Sequence, residues 1–135
     1  MREQEKEGRN NSLKCLCLNA RSIKNTFLEL EADINNKGYD IVGITETWLG
    51  EEDGEEYNLE GYKLIRKDRI GKRGGGVALY VKDNLNVYEI PDMDRSRPSE
   101  DLWIRLTGDD EKGLNIGVCY RPPASDMKIQ GFSRI

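Results

Sequence analysis

Apolar residues occur along the chain in short runs that polar and glycine-rich stretches separate. Two of these runs, residues 13–20 and 40–45, are almost continuously apolar, which is typical of buried strands. In the second half, apolar and polar positions alternate, as they do in strands with one buried face. We predict strands there at residues 61–68, 77–83, 86–90, 101–106 and 114–120.

One helix is predicted between the two buried strands. Phe27, Leu30 and Ile34 recur at helical spacing, with acidic residues between them. Residues 26–29 have the pattern of a capping box, which would begin the helix, and Gly38 would end it. A strand, a helix and a strand with short connections form a β-α-β unit, so both strands belong to one sheet. The fold class is therefore α/β, or α+β with a mixed sheet.

The composition is that of one domain with a modest core. The chain has 135 residues, of which 36% are hydrophobic and 34% are charged. Residues 1–12 are charged and polar and lack the apolar segment of a signal peptide, so we expect a disordered tail and an intracellular protein, nuclear or cytoplasmic. Residues 124–135 carry no clear pattern and form a second tail. No apolar run approaches the roughly 20 residues that a membrane span requires, so we expect no membrane partner.

Charge is segregated along the chain, although the net value is only −4. Residues 51–60 hold six acids and no base, whereas residues 63–73 hold six bases and one acid. The basic stretch suits a local nucleic-acid contact, and two solvated loops of opposite sign explain the same pattern equally well.

The chain has three cysteines and no histidine. Cys15 and Cys17 are two apart in a predicted strand and face the same side, where they fit reduced core thiols. A single C-x-C without histidine is not a zinc pattern. The absence of histidine also excludes Ser-His-Asp and Cys-His nucleophile systems.

The glycine-rich stretch 71–76 precedes a strand and lacks the GK[ST] ending of a phosphate-binding P-loop. We therefore interpret it as a hairpin connection. Its basic residues, Lys72 and Arg73, are candidates for contact with a nucleic-acid backbone.

Polar residues end the two buried strands. Asn19 ends the first strand and Glu46 directly follows the second. Singly, they fit a turn residue and a solvent-facing acid. If the strands are parallel neighbours, however, both residues lie at one edge of the sheet, and an amide oxygen with a carboxylate suits Mg²⁺. Tyr120 ends the last predicted strand, where it either faces a phosphate or packs on the sheet.

Several of these segments together resemble a known family. They are LNARS at 18–22, DIVGITETWL at 40–49, GYKLIRKDR at 61–69, GGGVALYVKD at 74–83, EDLWIRL at 100–106 and IGVCYRPP at 116–123. In this order they resemble the endonuclease/exonuclease/phosphatase superfamily, and more narrowly the apurinic-like endonuclease domain of non-LTR retrotransposons. The resemblance covers residues 13–123.

The resemblance implies a four-layer α/β sandwich of the DNase I-like type, here incomplete, that hydrolyses DNA phosphodiesters with Mg²⁺. It implies that Glu46 binds the metal, that Asn19 orients the metal-site acids and that Tyr120 faces the phosphate. Arg21 and Arg121 would contact the DNA backbone. In the parent element a reverse transcriptase domain would follow.

The family's later motifs, an Asp-x-Asn that follows a further strand and a terminal Ser-Asp-His, have no counterpart in the second half of this sequence. We therefore expect the chain alone to be catalytically inactive and, because much of the second sheet would be missing, to expose the inner face of the first sheet. Two alternatives remain open: a non-catalytic nucleic-acid-binding remnant, and a phosphatase or phosphodiesterase of the same superfamily.

Overall fold

The structure is a computed structural model that describes residues 2–7, 12–69, 74–91, 100–108, 113–121 and 124–132. These residues form one helix and nine strands. In chain order the elements are β1 (Arg2–Glu7), β2 (Ser12–Asn19), α1 (Ile23–Lys37), β3 (Ile41–Thr45), β4 (Tyr62–Lys67), β5 (Val77–Lys82), β6 (Asn86–Ile90), β7 (Glu100–Thr107), β8 (Gly113–Arg121) and β9 (Ala124–Phe132).

The strands form two sheets. The first has the order β1-β2-β3-β5-β4, and the second has the order β6-β7-β8-β9. Strands β2 and β3 are parallel neighbours, with Asn19 opposite Thr45, whereas every other pairing in the described sheets is antiparallel. The predicted β-α-β unit and mixed α/β class are confirmed, and β4 is an edge strand of the first sheet.

The two sheets pack face to face, and α1 covers the other face of the first sheet. Between the sheets lie buried side chains of both: Cys15, Cys17, Ile41, Val77, Leu79, Val81, Leu102, Ile104, Leu106, Ile116, Val118 and Met127. At Gly43 the two sheets approach each other closely, because a Cβ there would lie 2.7 Å from Met127 Cε. The expectation of an exposed inner face was therefore wrong, since β6–β9 form enough of the second sheet to cover it.

Helix α1 begins earlier than its sequence indicated. It starts at Ile23, and the preceding Ser22 makes no side-chain capping bond. The Thr26 hydroxyl also finds no hydrogen-bond partner among the described residues, so the predicted capping box is absent. The predicted end is confirmed, because Gly38 adopts the left-handed conformation and donates its N–H to Ile34 O at 2.8 Å. No helix in the described part of the chain has the length and apolarity needed to cross a membrane.

The structure describes a strand in each of the two segments interpreted from sequence as tails, the disordered tail at 1–12 and the divergent tail at 124–135. Residues 2–7 pair as β1 with β2, and residues 124–132 pair as β9 with β8. Each is an edge strand, held by backbone pairing on one side only. Backbone pairing requires no apolar alternation, which explains why neither strand had a side-chain signal.

Candidate active site

The carboxyl ends of β2 and β3 meet at one edge of the first sheet, which we call the site edge. Asn19 is the last residue of β2, and Glu46 directly follows β3. The Asn19 amide Nδ2 donates a hydrogen bond to Glu46 Oε2. The Asn19 Oδ1 accepts the Arg21 N–H at 3.1 Å. The two residues are thus adjacent, as the parallel pairing of their strands indicated.

The backbone at the site edge is strained. Four non-glycine residues have positive φ, and they are the only such residues in the described ranges: Arg21 (46°), Ser22 (80°), Glu46 (52°) and Trp48 (58°). Side chains disfavour this conformation, which costs on the order of 1–3 kcal/mol per residue unless the surroundings impose it. All four lie in the two segments that follow β2 and β3, so the strain is concentrated at this edge.

Backbone hydrogen bonds hold these two segments together. The N–H groups of Ser22 and Ile23 donate to the carbonyls of Glu46 and Thr47, at 2.9 and 3.0 Å. They take the place of a side-chain cap at the start of α1. Because Glu46 is bonded through both its backbone and its side chain, its carboxylate is held in one position.

A glycine turn supports the segment from its other side. Trp48 N–H donates to Gly75 O at 2.8 Å, and Thr47 N–H donates to Gly76 O at 3.2 Å. A Cβ on Gly76, where φ is +89°, would lie 2.5 Å from Thr47 Oγ1. This turn connects the antiparallel neighbours β4 and β5, so the predicted hairpin connection is confirmed. Lys72 and Arg73 lie outside the described residues.

Tyr120 is a residue of the second sheet that lies at the site edge. It lies near the end of β8, and its phenol is near enough to Glu46 for the carboxylate to shift its pKa. Burial raises the pKa of Tyr120 above its ordinary value, and the nearby Glu46 carboxylate raises it further. The phenol therefore keeps its proton at neutral pH and can donate a hydrogen bond.

Sequence reasoning missed the ion pair of Arg69 and Glu100. Glu100 opens β7 opposite Tyr120, pairs with Arg69 and accepts the Gly76 N–H at 2.8 Å. It thereby connects the glycine turn to the second sheet. An acid at the start of the EDLWIRL segment was a signal, but its partner is 31 residues away in sequence.

The basic stretch 63–73 is not a free surface where the structure describes it. The Arg66 guanidinium donates to the carbonyls of Gly50, Asp53 and Gly54, and it pairs with Asp68. It thus fastens the acidic loop. The other described bases also bind the protein: Lys63 to Leu85 O, Lys67 to Asp101 O and Arg69 to Glu100. The interpretation of this stretch as a nucleic-acid patch loses most of its support.

The structure thus groups three of the residues chosen from sequence: Asn19 is hydrogen bonded to Glu46, and Tyr120 lies within electrostatic reach of the Glu46 carboxylate. Arg21 is exposed beside them. Arg121 follows Tyr120 at the end of β8, and its side chain lies outside what the structure describes.

A metal ion would find one carboxylate here. The described residues hold no group of three His, Cys, Asp or Glu side chains that could bind a metal. Glu100 is engaged by Arg69 and Gly76, which leaves Glu46 as the candidate ligand. Mg²⁺ is often held by one or two carboxylates together with water and substrate phosphate. The residues here therefore fit part of a Mg²⁺ site, in which water and substrate would provide the other ligands.

The sequence profile of the endonuclease/exonuclease/phosphatase family matches residues 16–130, and the chain belongs to this family. The family consists of nuclease- and phosphatase-type hydrolases that generally depend on a divalent metal. The match continues past the tail boundary at residue 123 and into β9. No curated protein matches the chain.

Proposed function

We propose that these residues are the first part of the catalytic domain of a Mg²⁺-dependent DNA endonuclease, of the type found before the reverse transcriptase of non-LTR retrotransposons. Membership of the family supports a phosphoester hydrolase, and the segments ITETWL and YRPP support the narrower type. The observation that carries the proposal is the hydrogen bond of Asn19 to Glu46 at the site edge, with Tyr120 of the second sheet within electrostatic reach of the same carboxylate.

Each of the three side chains has a separate task in this proposal. Glu46 provides the carboxylate ligand, and the Asn19 amide orients it through the hydrogen bond to Oε2. Tyr120, whose phenol is protonated at neutral pH, donates a hydrogen bond to a phosphate oxygen. A bound Mg²⁺ would neutralise negative charge on the phosphate. Arg21 and Arg121 flank these groups and would contact the DNA backbone, which fixes position without reading sequence.

We also propose that the 135-residue chain alone does not hydrolyse DNA. The sequence has no histidine, and the later Asp-x-Asn segment that would provide further acids has no counterpart in its second half. A single carboxylate supports weak metal and DNA binding, but it provides neither a general base nor a second set of ligands. The polypeptide should therefore bind DNA weakly in the presence of Mg²⁺ without cutting it.

Two assays on the same protein test the proposal. Fluorescence anisotropy of a labelled DNA duplex should show binding that increases with Mg²⁺, that Glu46→Gln loses and that the exposed Glu51→Gln retains. A plasmid-nicking assay with Mg²⁺ should show no cleavage above background. Binding that depends on neither Mg²⁺ nor Glu46 would contradict the proposed site. Nicking that disappears in Glu46→Ala would contradict the absence of turnover.

A further inference from the structure

Trp48 is an exposed aromatic side chain at the site edge. Among the described residues, the large hydrophobic side chains that are exposed are Leu28, Trp48 and Tyr88. Leu28 lies on α1 and Tyr88 on β6, whereas Trp48 is two residues from Glu46. Its side chain is 43% exposed, although Thr47 and Leu49 on either side of it are buried. The indole is therefore an exposed apolar surface two residues along the chain from the carboxylate of the site.

The backbone of Trp48 is held in an unusual conformation. Its φ is 58°, which is rare for a bulky residue, and the hydrogen bond from its N–H to Gly75 O fixes it there. Strain of this kind persists where the surroundings impose it, and it clusters at ligand sites. Here it accompanies a ring that remains in water at the rim of the site instead of packing into the core.

The glycine turn determines where the indole lies. A Cβ on Gly74 would be 3.6 Å from Trp48 Nε1 and 3.9 Å from Arg69 Nη1, so the ring and the guanidinium flank the same glycine. Arg69 pairs with Glu100, which lies opposite Tyr120 in the second sheet. The indole is thus connected to Tyr120 through Gly74, Arg69 and Glu100.

We propose that Trp48 is a stacking surface for an unpaired nucleobase next to the phosphodiester at Glu46, an inference that rests on the proposed function. An exposed indole face gains from stacking on any base, whereas the sugar and phosphate offer it no flat surface. A base inside a duplex is already stacked on its neighbours. The substrate class is therefore nucleic acid with an unstacked nucleotide at the site, such as a single strand or a distorted duplex.

Binding to a short single-stranded oligonucleotide tests the proposal. Trp48→Gly removes the ring and also suits the positive φ, so its thermal stability should equal or exceed that of the unmodified chain. Its affinity should fall about tenfold, within the range known for removal of one stacking aromatic. For an oligonucleotide of the same length made of abasic nucleotides, Trp48→Gly and the unmodified chain should bind equally.

Intrinsic fluorescence provides the matched control, because the chain has two tryptophans. In Trp103→Phe, which keeps Trp48, titration with the oligonucleotide should quench the emission. In Trp48→Phe, which keeps Trp103, it should not. Equal affinity of Trp48→Gly and the unmodified chain, or equal losses for the normal and abasic oligonucleotides, would overturn the stacking role alone. Failure of the unmodified chain to bind any nucleic acid would overturn the proposed function together with it.

Discussion

The two ends of the parallel strands β2 and β3 differ in how their charged groups are paired and in which residues adopt positive φ. At their amino ends, which we call the far edge, Asp40 Oδ2 accepts the Lys14 N–H at 2.8 Å and Asp40 Oδ1 lies 3.7 Å from Lys82 Nζ. Positive φ occurs there at Gly38 and Gly61, where it costs little. At the site edge, positive φ falls on the glycines of the turn at 74–76 and also on four residues with side chains, and the carboxylate of Glu46 accepts a hydrogen bond from an amide and lies near a phenol.

This difference separates stability from function within one sheet. The far edge pairs its charges with one another and uses glycine wherever the chain turns left-handed, so it is built for stability. The site edge keeps strained non-glycine residues and a carboxylate that forms no ion pair with the side chains that the structure describes. Strain and unneutralised charge are features that stability alone does not select.

The largest effect is expected at the far edge. Asp40→Ala removes the acceptor of the Lys14 N–H and the partner of Lys82, and we expect the free energy of unfolding to fall by about 2–3 kcal/mol. Glu46→Ala, at the site edge, should cost less than about 1 kcal/mol. Urea denaturation of both variants measures the two values. A larger loss for Glu46→Ala would reverse the assignment of the two edges.

A pH effect should also come from the far edge. Burial, and after it the Asp40 carboxylate, raise the pKa of Cys15 from 9.0 to about 11. The folded chain thus holds this proton more tightly than the unfolded chain, so stability should fall as pH rises from about 9 to 11, by roughly 2 kcal/mol. In Cys15→Ala the free energy of unfolding should fall by roughly 2 kcal/mol less over the same pH range. Identical pH dependence in the two proteins would show that Cys15 does not contribute.

A smaller effect tests the strain directly. Gly38→Ala should cost about 1 kcal/mol, because alanine disfavours φ of 65°. At the site edge the order should invert: Glu46→Gly should be more stable than Glu46→Ala by about 1 kcal/mol, since only glycine relieves φ of 52°. Thermal unfolding of the three variants checks this. Equal stability of the two Glu46 variants would show that backbone strain does not distinguish the two edges.

Residues in the regular part of the fold were predictable from sequence. The apolar runs at 13–20 and 40–45 predicted adjacent strands, and parallel pairing alone places Asn19 beside Glu46. That inference needed only a local pattern and one rule of sheet geometry. The position of Tyr120 was suggested by resemblance and not by pattern, because it depends on how the two sheets pack.

Features that depend on distant partners were not predictable. The helix begins at Ile23 because carbonyls of Glu46 and Thr47 bind its first N–H groups, and no capping pattern records such bonds. The role of Glu100 depends on Arg69 and Gly76, which lie on another loop. Strand β1 has the sequence REQEKE, which has no apolar alternation, and it pairs with β2 through its backbone.

Paramagnetic broadening by Mn²⁺, used in place of Mg²⁺, tests the central claim most directly. In amide NMR spectra, Mn²⁺ at low occupancy should weaken the signals of residues 19–22 and 45–48 and of Tyr120, while those of Lys14, Gly38 and Asp40 persist. Glu46→Gln should abolish the effect, and Glu51→Gln should leave it unchanged. Broadening centred on the acidic loop at residues 51–56, or broadening at the site edge that survives in Glu46→Gln, would contradict the assignment of the site edge as the metal-binding side of the domain.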